Sequence, residues 1–232
     1  MSKNFFAKLN LNWRAYLAEF FGTFVFVFVA SCAVVSDKLY TNVGLVGIAL
    51  ATGLALSAGI FATVHISGGH LNPAVTLALW FVQKINTANA ALYIISQVFG
   101  SFAAAFLVFL IFGAKSMEFF LGGPTLGVDV SVQTAMVLEA IFTAILTFVV
   151  FATAVDRRGS GSFAPLTIGF FVVVASIAIG NVTGAALNPA RAIGPLVLSK
   201  VVDFRLLVYI IGPLAGSVFG IVYDLVFLKS KK

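Results

Sequence analysis

Asparagine-proline-alanine occurs twice in this chain, at Asn72-Pro73-Ala74 and at Asn188-Pro189-Ala190, and Arg191 directly follows the second copy. Each copy spells the start of a helix. Asparagine is a good N-cap, and proline at the first helical position has the right φ and lacks an N–H that would have no intrahelical partner. The chemistry on offer is recognition without reaction: two carboxamide donors, the positive ends of two helix dipoles and one guanidinium. Gly68, Gly69 and Gly184 precede the asparagines and let backbone carbonyls turn toward a passing molecule. His65 and His70 belong to the first of these loops. Two histidines without an acidic cluster are too few for a zinc site, and the single cysteine, Cys32, excludes an internal disulfide or a cysteine-based metal site. No nucleophile, base and orienting group stand at catalytic spacing, so an enzyme is disfavoured and neither metal nor cofactor is expected.

The elements that must hold these residues are membrane spans. Of 232 residues, 61% are hydrophobic and 9% charged, and the mean hydropathy is +1.10. That balance excludes an ordinary soluble domain. Six apolar stretches, residues 13–35, 43–64, 88–113, 131–155, 163–179 and 206–228, are long enough to cross a hydrocarbon layer about 30 Å thick, which takes roughly 20 residues of helix. They lack the two-residue alternation of membrane strands, so the expected fold is an all-α integral membrane protein. Residues 73–80 and 189–198, which follow the two tripeptides, are too short to span and read as half-helices. Non-helical backbone at that depth is tolerated only inside protein or along a wet cavity, so the loops ahead of them are expected to face a pore. Lys3, Lys8 and Arg14 precede the first stretch as in a signal peptide, but the run stays apolar for a full span and is expected to be retained.

The chain repeats itself. Residues 65–79 (HISGGHLNPAVTLAL) resemble residues 181–195 (NVTGAALNPARAIGP), and other landmarks keep step. Gly100 and Gly216 each lie 28 residues beyond their asparagine, Gly53 and Gly169 each 19 before it, and Glu19 and Glu139 more loosely 53 and 49 before it. With three spans per copy, the second enters the membrane from the opposite side, and the inverted halves bring equivalent segments together near mid-bilayer. Repeat one covers about 10–115, a turn-rich connection about 115–130, and repeat two about 131–229, making one channel domain over 1–232. Placing both termini in the cytoplasm puts Lys3, Lys8, Arg14, Lys84, Arg157, Arg158, Lys229, Lys231 and Lys232 inside, nine of fourteen basic residues. The net charge of +6 is therefore a topology signal that calls for no nucleic acid, with contact to anionic lipid a secondary role for residues 229–232.

In halves of this size, Asn72-Pro73-Ala74 and Asn188-Pro189-Ala190-Arg191 resemble the paired signature of the aquaporin, or major intrinsic protein, family, and the resemblance runs over essentially the whole chain. It implies six transmembrane helices plus two re-entrant half-helices, a homotetramer with one pore per subunit, and passive flow of water. Cations and protons are then repelled by half-helix dipoles and an arginine, the explanation generally given for aquaporins. By the same resemblance Arg191 marks the narrowest point. A buried arginine is unfavourable by about 2.5–3.5 kcal/mol at the centre of a membrane helix, so it faces a pore or a partner. Aligned by offset from the asparagines, the other filter positions fall on Thr52, Ser176 and Ala185, all small. Water-selective members typically carry an aromatic residue and a histidine at the first two positions. Glycerol channels typically carry aromatics with an aspartate after the arginine, where this chain has Ala192. Small side chains opposite one cation predict an opening that passes water and also glycerol, urea or ammonia. A strictly water-selective channel and an ion-coupled secondary transporter, which also uses inverted repeats and broken helices, stand as alternatives. An adhesive membrane protein with a vestigial pore is a third.

Glu19 and Glu139 are carboxylates inside spans, and the resemblance assigns them to bracing the N–H groups of the pore loops. His65 and His70 are expected on the cytoplasmic half of the pore wall, with a pH gate at His65 as one role. The 25 phenylalanines are expected in packing or against lipid. Residues 156–160 form a cytoplasmic loop, where Ser160 and nearby Ser162 lie close to two arginines. The expected membrane is a plasma membrane or a bacterial inner membrane.

Overall fold

The computed structural model describes residues 12–40 and 43–228. Helix α1 (Trp13–Leu39) starts at Asn12, whose side chain accepts the Ala15 N–H. It is followed by α2 (Gly44–Ser67), the half-helix α3 (Pro73–Phe81) and α4 (Thr87–Phe112), which Asn86 caps. A 3₁₀ segment, Ala114–Gly122, leads to α5 (Val132–Val150), whose last turn widens into a π turn over Phe151–Val155. A 3₁₀ turn, Gly161–Phe163, opens α6 (Ala164–Thr183); then come the half-helix α7 (Pro189–Leu198) and α8 (Phe204–Ser217), capped by Asp203. The described residues end with α9 (Phe219–Tyr223) and a π turn, Asp224–Leu228. The described residues are all-helical in their regular structure, and six runs among them are long and apolar enough to cross a membrane, at mean hydropathies of 2.0 to 2.3.

All six expected spans are present, but several run further than their apolar stretches. The first extends to Leu39, the second to Ser67 and the fifth to Thr183. A helix stops where its last carbonyls find donors, not where polarity rises. For α2 and α6 that place is a glycine in the left-handed region, Gly68 (φ 91°) and Gly184 (φ 80°), whose N–H groups return to Val64 and Gly180. His65 is consequently part of α2 and does not open the pore loop, a correction to the sequence reading. The connection 115–130 is also not all loop, since most of Ala114–Gly122 is 3₁₀. Lys3, Lys8, Lys229, Lys231 and Lys232, which carry part of the charge asymmetry, lie outside the described residues.

Helix α1 packs against α2 and α4, and its repeat counterpart α5 against α6 and α8, while α2 and α6 cross each other at the centre. The crossings are close because glycines sit in them. A Cβ on Gly53 would strike the Gly169 carbonyl, one on Gly100 the Phe20 carbonyl, and one on Gly216 the Ala140 carbonyl. Phe26, Leu71, Leu146, Phe151 and Leu187 fill the interior, whereas Leu17, Phe21, Phe99, Phe106, Leu110 and Phe170 are exposed on the outside of the bundle. An apolar exterior around an interior that holds Glu19, Glu139, Gln97 and Arg191 is the arrangement a bilayer demands.

Candidate functional site

Two loops, residues 68–72 and 184–188, carry the chain from each long helix to its half-helix. Both bend through residues in the left-handed region: Gly68, Gly69 (φ 62°) and Leu71 (φ 50°) in one, Gly184, Ala185 (φ 47°) and Leu187 (φ 49°) in the other. Non-glycine residues held there are unfavourable by on the order of 1–3 kcal/mol each, so something must fix them. The fixing group is a buried carboxylate. Glu19 Oε1 accepts the Ser67 hydroxyl (2.6 Å) and the His70 N–H (2.9 Å), and its Oε2 accepts the Leu71 N–H (2.7 Å). Glu139 repeats the pattern with the Thr183 hydroxyl (2.7 Å), the Ala186 N–H (3.0 Å) and the Leu187 N–H (2.7 Å). Tyr93 and Tyr209 complete each brace by donating to the Ser67 and Thr183 carbonyls, both at 2.8 Å.

With their N–H groups occupied, the loops end at Asn72 and Asn188. Each side-chain oxygen caps its own half-helix, accepting from Ala74 N–H (2.8 Å) or Ala190 N–H (2.9 Å). Each amide nitrogen reaches across to the other loop. Asn72 Nδ2 donates to the Leu187 carbonyl and Asn188 Nδ2 to the Leu71 carbonyl, both at 2.9 Å. The two half-helix tips therefore meet, and each amide keeps one further N–H for a third party. Pro73 and Pro189 occupy the first helical position on either side, followed by the fully buried Ala74 and Ala190.

A cavity lies on each side of this junction. The one bordered by Lys84, Arg157 and Gly161, here called proximal, has a volume of about 430 Å³ and is lined also by Gly68, Gly69, His70 and Asn72 and by apolar side chains such as Leu56 and Val150. The distal cavity, about 250 Å³, is lined by Thr52, Ser176, Gly184, Ala185 and Arg191. Four positions far apart in sequence thus line one small space. Arg191 is buried and finds no carboxylate among the described residues. Its guanidinium donates to the Gly122 carbonyl (2.6 Å) and lies 3.5 Å from Ser31 Oγ. The Gly122 carbonyl is aimed by the two residues before it, Phe120 (φ 51°) and Leu121 (φ 50°), both left-handed.

His70 and His65 part company. His70 lines the proximal cavity, with Nδ1 3.1 Å from Thr76 Oγ1 and its ring edge-on to Tyr93. His65 instead lines an outward-facing groove with Arg14, Leu17 and Phe21, and it touches neither cavity. The reason is helical phase: as part of α2 its side chain follows the turn and leaves the bundle. Residues that the sequence reading missed include Ser67, Thr183, Tyr93 and Tyr209. Repeat alignment holds their signal, since the first pair stands five residues before each asparagine and the second 21 after. On the proximal rim, the Arg158 Nε donates to Asp156 Oδ1 (2.8 Å), and Nη2 contacts Oδ2 as well as the Phe227 carbonyl at 2.9 Å. Those bonds hold the Asp156 carboxyl well below the usual carboxylate range.

The chain is similar to known proteins over most of its length. The family pattern described as Major intrinsic protein matches residues 6–223. Aquaporin TIP2-3 of Arabidopsis thaliana is 39% identical over 228 residues, covering 94% of this chain and 88% of the relative. Aquaporin TIP4-4 of Zea mays is 40% identical, covering 93% and 87%. Among solved structures, the aquaglyceroporin from Plasmodium falciparum superposes with a TM-score of 0.83 at 28% identity, covering 93% of this chain and 97% of its own. With the braced loops, the opposed half-helices and these likenesses together, the chain belongs to the major intrinsic protein family as a multi-pass, aquaporin-type membrane channel, not an enzyme.

Proposed function

We propose that the chain passes water together with small neutral solutes such as glycerol, urea or ammonia, along a line from the proximal cavity, past Asn72 and Asn188, to the distal cavity. The observation that carries this reading is the distal lining: the small side chains of Thr52, Ser176 and Ala185 share one cavity with the guanidinium of Arg191. A polar rim with no aromatic among these four leaves room for a molecule larger than water. The kinship with a protein named aquaglyceroporin supports the same reading.

The mechanism follows from the donors. A solute oxygen arriving between the tips meets one spare N–H from each asparagine and the positive ends of α3 and α7. Cations are repelled there, and a water whose oxygen is held by two donors cannot readily accept a proton. On the proximal side most of the lining is apolar, so passing molecules find their polar contacts along the Gly68–His70 loop and at Asn72, Lys84 and Arg157. Arg191, fixed by Gly122 and Ser31, repels cations again at the distal end.

Stopped-flow light scattering of the reconstituted protein tests the solute range. Liposomes should shrink and then reswell under glycerol and urea gradients faster than empty liposomes. Water flux with solute flux at the background rate would overturn the wide-filter reading in favour of a strictly water-selective channel. Saturating, gradient-dependent solute uptake would favour a coupled transporter. We assign both termini to the cytoplasm of a plasma or bacterial inner membrane, from the basic residues Arg14, Lys84, Arg157 and Arg158 on the proximal side; accessibility labelling of a tagged terminus in intact cells tests this. A homotetramer with one pore per subunit follows from family resemblance, and native mass spectrometry of the detergent-solubilised chain tests it.

A further inference from the structure

The two-fold relation between the repeats fails along one face of α4. Gln97 and Ser101 stand one turn apart there, and both are fully buried. Gln97 Nε2 reaches the first half-helix, donating to Thr76 Oγ1 at 2.9 Å. Ser101 reaches the second. Its hydroxyl donates to the Ala190 carbonyl and accepts the Gly194 N–H at 3.0 Å. The approach is close enough that a Cβ on Gly194 would collide with Ser101. In the other repeat the equivalent positions are Pro213 and Ser217. Proline has no side-chain donor, and the Ser217 hydroxyl turns back to the Leu214 carbonyl of its own helix at 2.6 Å. Among the described residues, α4 is the only span whose side chains hydrogen-bond to both half-helices.

What Ser101 grips matters. Ala190 and Gly194 are the i and i+4 partners that enclose Arg191 in the first turns of α7. The next N–H along the helix is missing, because residue 195 is proline, so the Arg191 carbonyl receives no helical bond from it. The turn that carries the filter cation is thus weakened from within and tied from without. Gly122 and Ser31 hold the tip of the guanidinium, while Ser101 holds the backbone from which it springs.

We propose that Ser101 is a positioning residue for Arg191: by fixing the height and rotation of the first turns of α7, it keeps the guanidinium at the narrow part of the distal cavity and so sets how far neutral solutes are excluded. This rests on the reading of Arg191 as the filter cation. The second repeat then depends on the first for its alignment, and α4 is the strut that sets both half-helices against each other.

The test uses the full chain in liposomes and reads the ratio of glycerol to water permeability for wild type, Ser101→Ala, Ser101→Cys, Arg191→Ala and the Ser101→Ala/Arg191→Ala double variant. Ser101→Ala should raise the ratio by about threefold, and Arg191→Ala by more, as expected for residues that act through one contact. The double variant should match Arg191→Ala alone, because the serine acts only through the arginine. Ser101→Cys puts a larger, poor hydrogen-bonding group there and should shift the ratio in the same direction, which keeps the test valid if the alanine variant does not assemble. A purely structural serine would lower both permeabilities together and leave the ratio at the wild-type value; with Arg191→Ala still shifting it, that result overturns the proposal. If Arg191→Ala itself leaves the ratio unchanged, the filter reading fails instead, which is a separate result.

Discussion

Residues 67–72 and 183–188 follow one path: a left-handed glycine, a carboxylate one helix away, a tyrosine on the flanking carbonyl and an asparagine at the tip. Around that shared backbone the side chains diverge. The first loop is surrounded by His70, Thr76 and Gln97, where the second has Ala186, Ala192 and Pro213. The second carries Arg191, where the first has Val75. Backbone path and side-chain role therefore separate: the carboxylates Glu19 and Glu139 build the same scaffold twice, and the residues hung on it put a histidine along the proximal cavity and a guanidinium along the distal one.

The largest effect is expected on the braces themselves. Glu139→Ala leaves one hydroxyl and two N–H groups buried without an acceptor, at about 1–3 kcal/mol each, a substantial part of a typical stability of about 5–15 kcal/mol. Glu19→Ala should be milder, because Gln97, whose Nε2 donates to Glu19 Oε2 at 2.7 Å, can turn its amide and offer its unpartnered Oε1 to the freed groups. Monodisperse yield and thermal melting in detergent should rank wild type above Glu19→Ala above Glu139→Ala; the reverse order breaks the comparison. Next comes Arg191→Val, which gives the second half-helix the residue that the first has at Val75. Glycerol permeability should rise by about tenfold with little loss of folded protein, because a shorter side chain leaves the distal cavity wider while the brace is intact.

The tips should respond equally. Asn72→Ala and Asn188→Ala each remove one cap and one cross-link of matching geometry, so each should lower stability by at least the cap's contribution of about 1 kcal/mol, read as equal shifts in melting temperature. Unequal shifts would show that the junction is less symmetric than its hydrogen bonds. The smallest effects concern pH. His65→Ala should reproduce the wild-type permeability profile between about pH 5 and 8, since that ring lies outside both cavities. Asp156 is a carboxyl with a depressed folded value, so its contribution to stability is fully present above the ordinary aspartate range. It is lost only as pH falls through that lower value. Melting temperature against pH should show this as a slight acid-side drop that Asp156→Asn removes.

Much of this was legible in the sequence because it is local or periodic. Six apolar runs, two proline-started half-helices and a repeat in register are patterns along the chain, and the family resemblance, aligned by offset from the asparagines, assigns Thr52, Ser176 and Ala185 to the cavity that Arg191 also lines. Two kinds of feature were not legible. Helix ends are set by caps, so the apolar edge at Val64 misplaced His65 into a loop that starts three residues later. Contacts between helices of different repeats leave no trace in spacing: nothing in the order of residues ties Ser31 and Gly122 to Arg191, or Ser101 to Ala190. Gln97 carried the one available hint, a carboxamide inside an apolar span.

The central claim is that one passage crosses the junction of the half-helix tips and leaves by the distal cavity. Osmotic water permeability of the Ala185→Cys variant tests it directly, in a Cys32→Ser background where the introduced thiol is the only one. Reaction with a small thiol reagent should bring water flux down to that of empty liposomes, and reduction should restore it. Complete modification of the cysteine, verified by mass spectrometry, with undiminished flux would contradict the account.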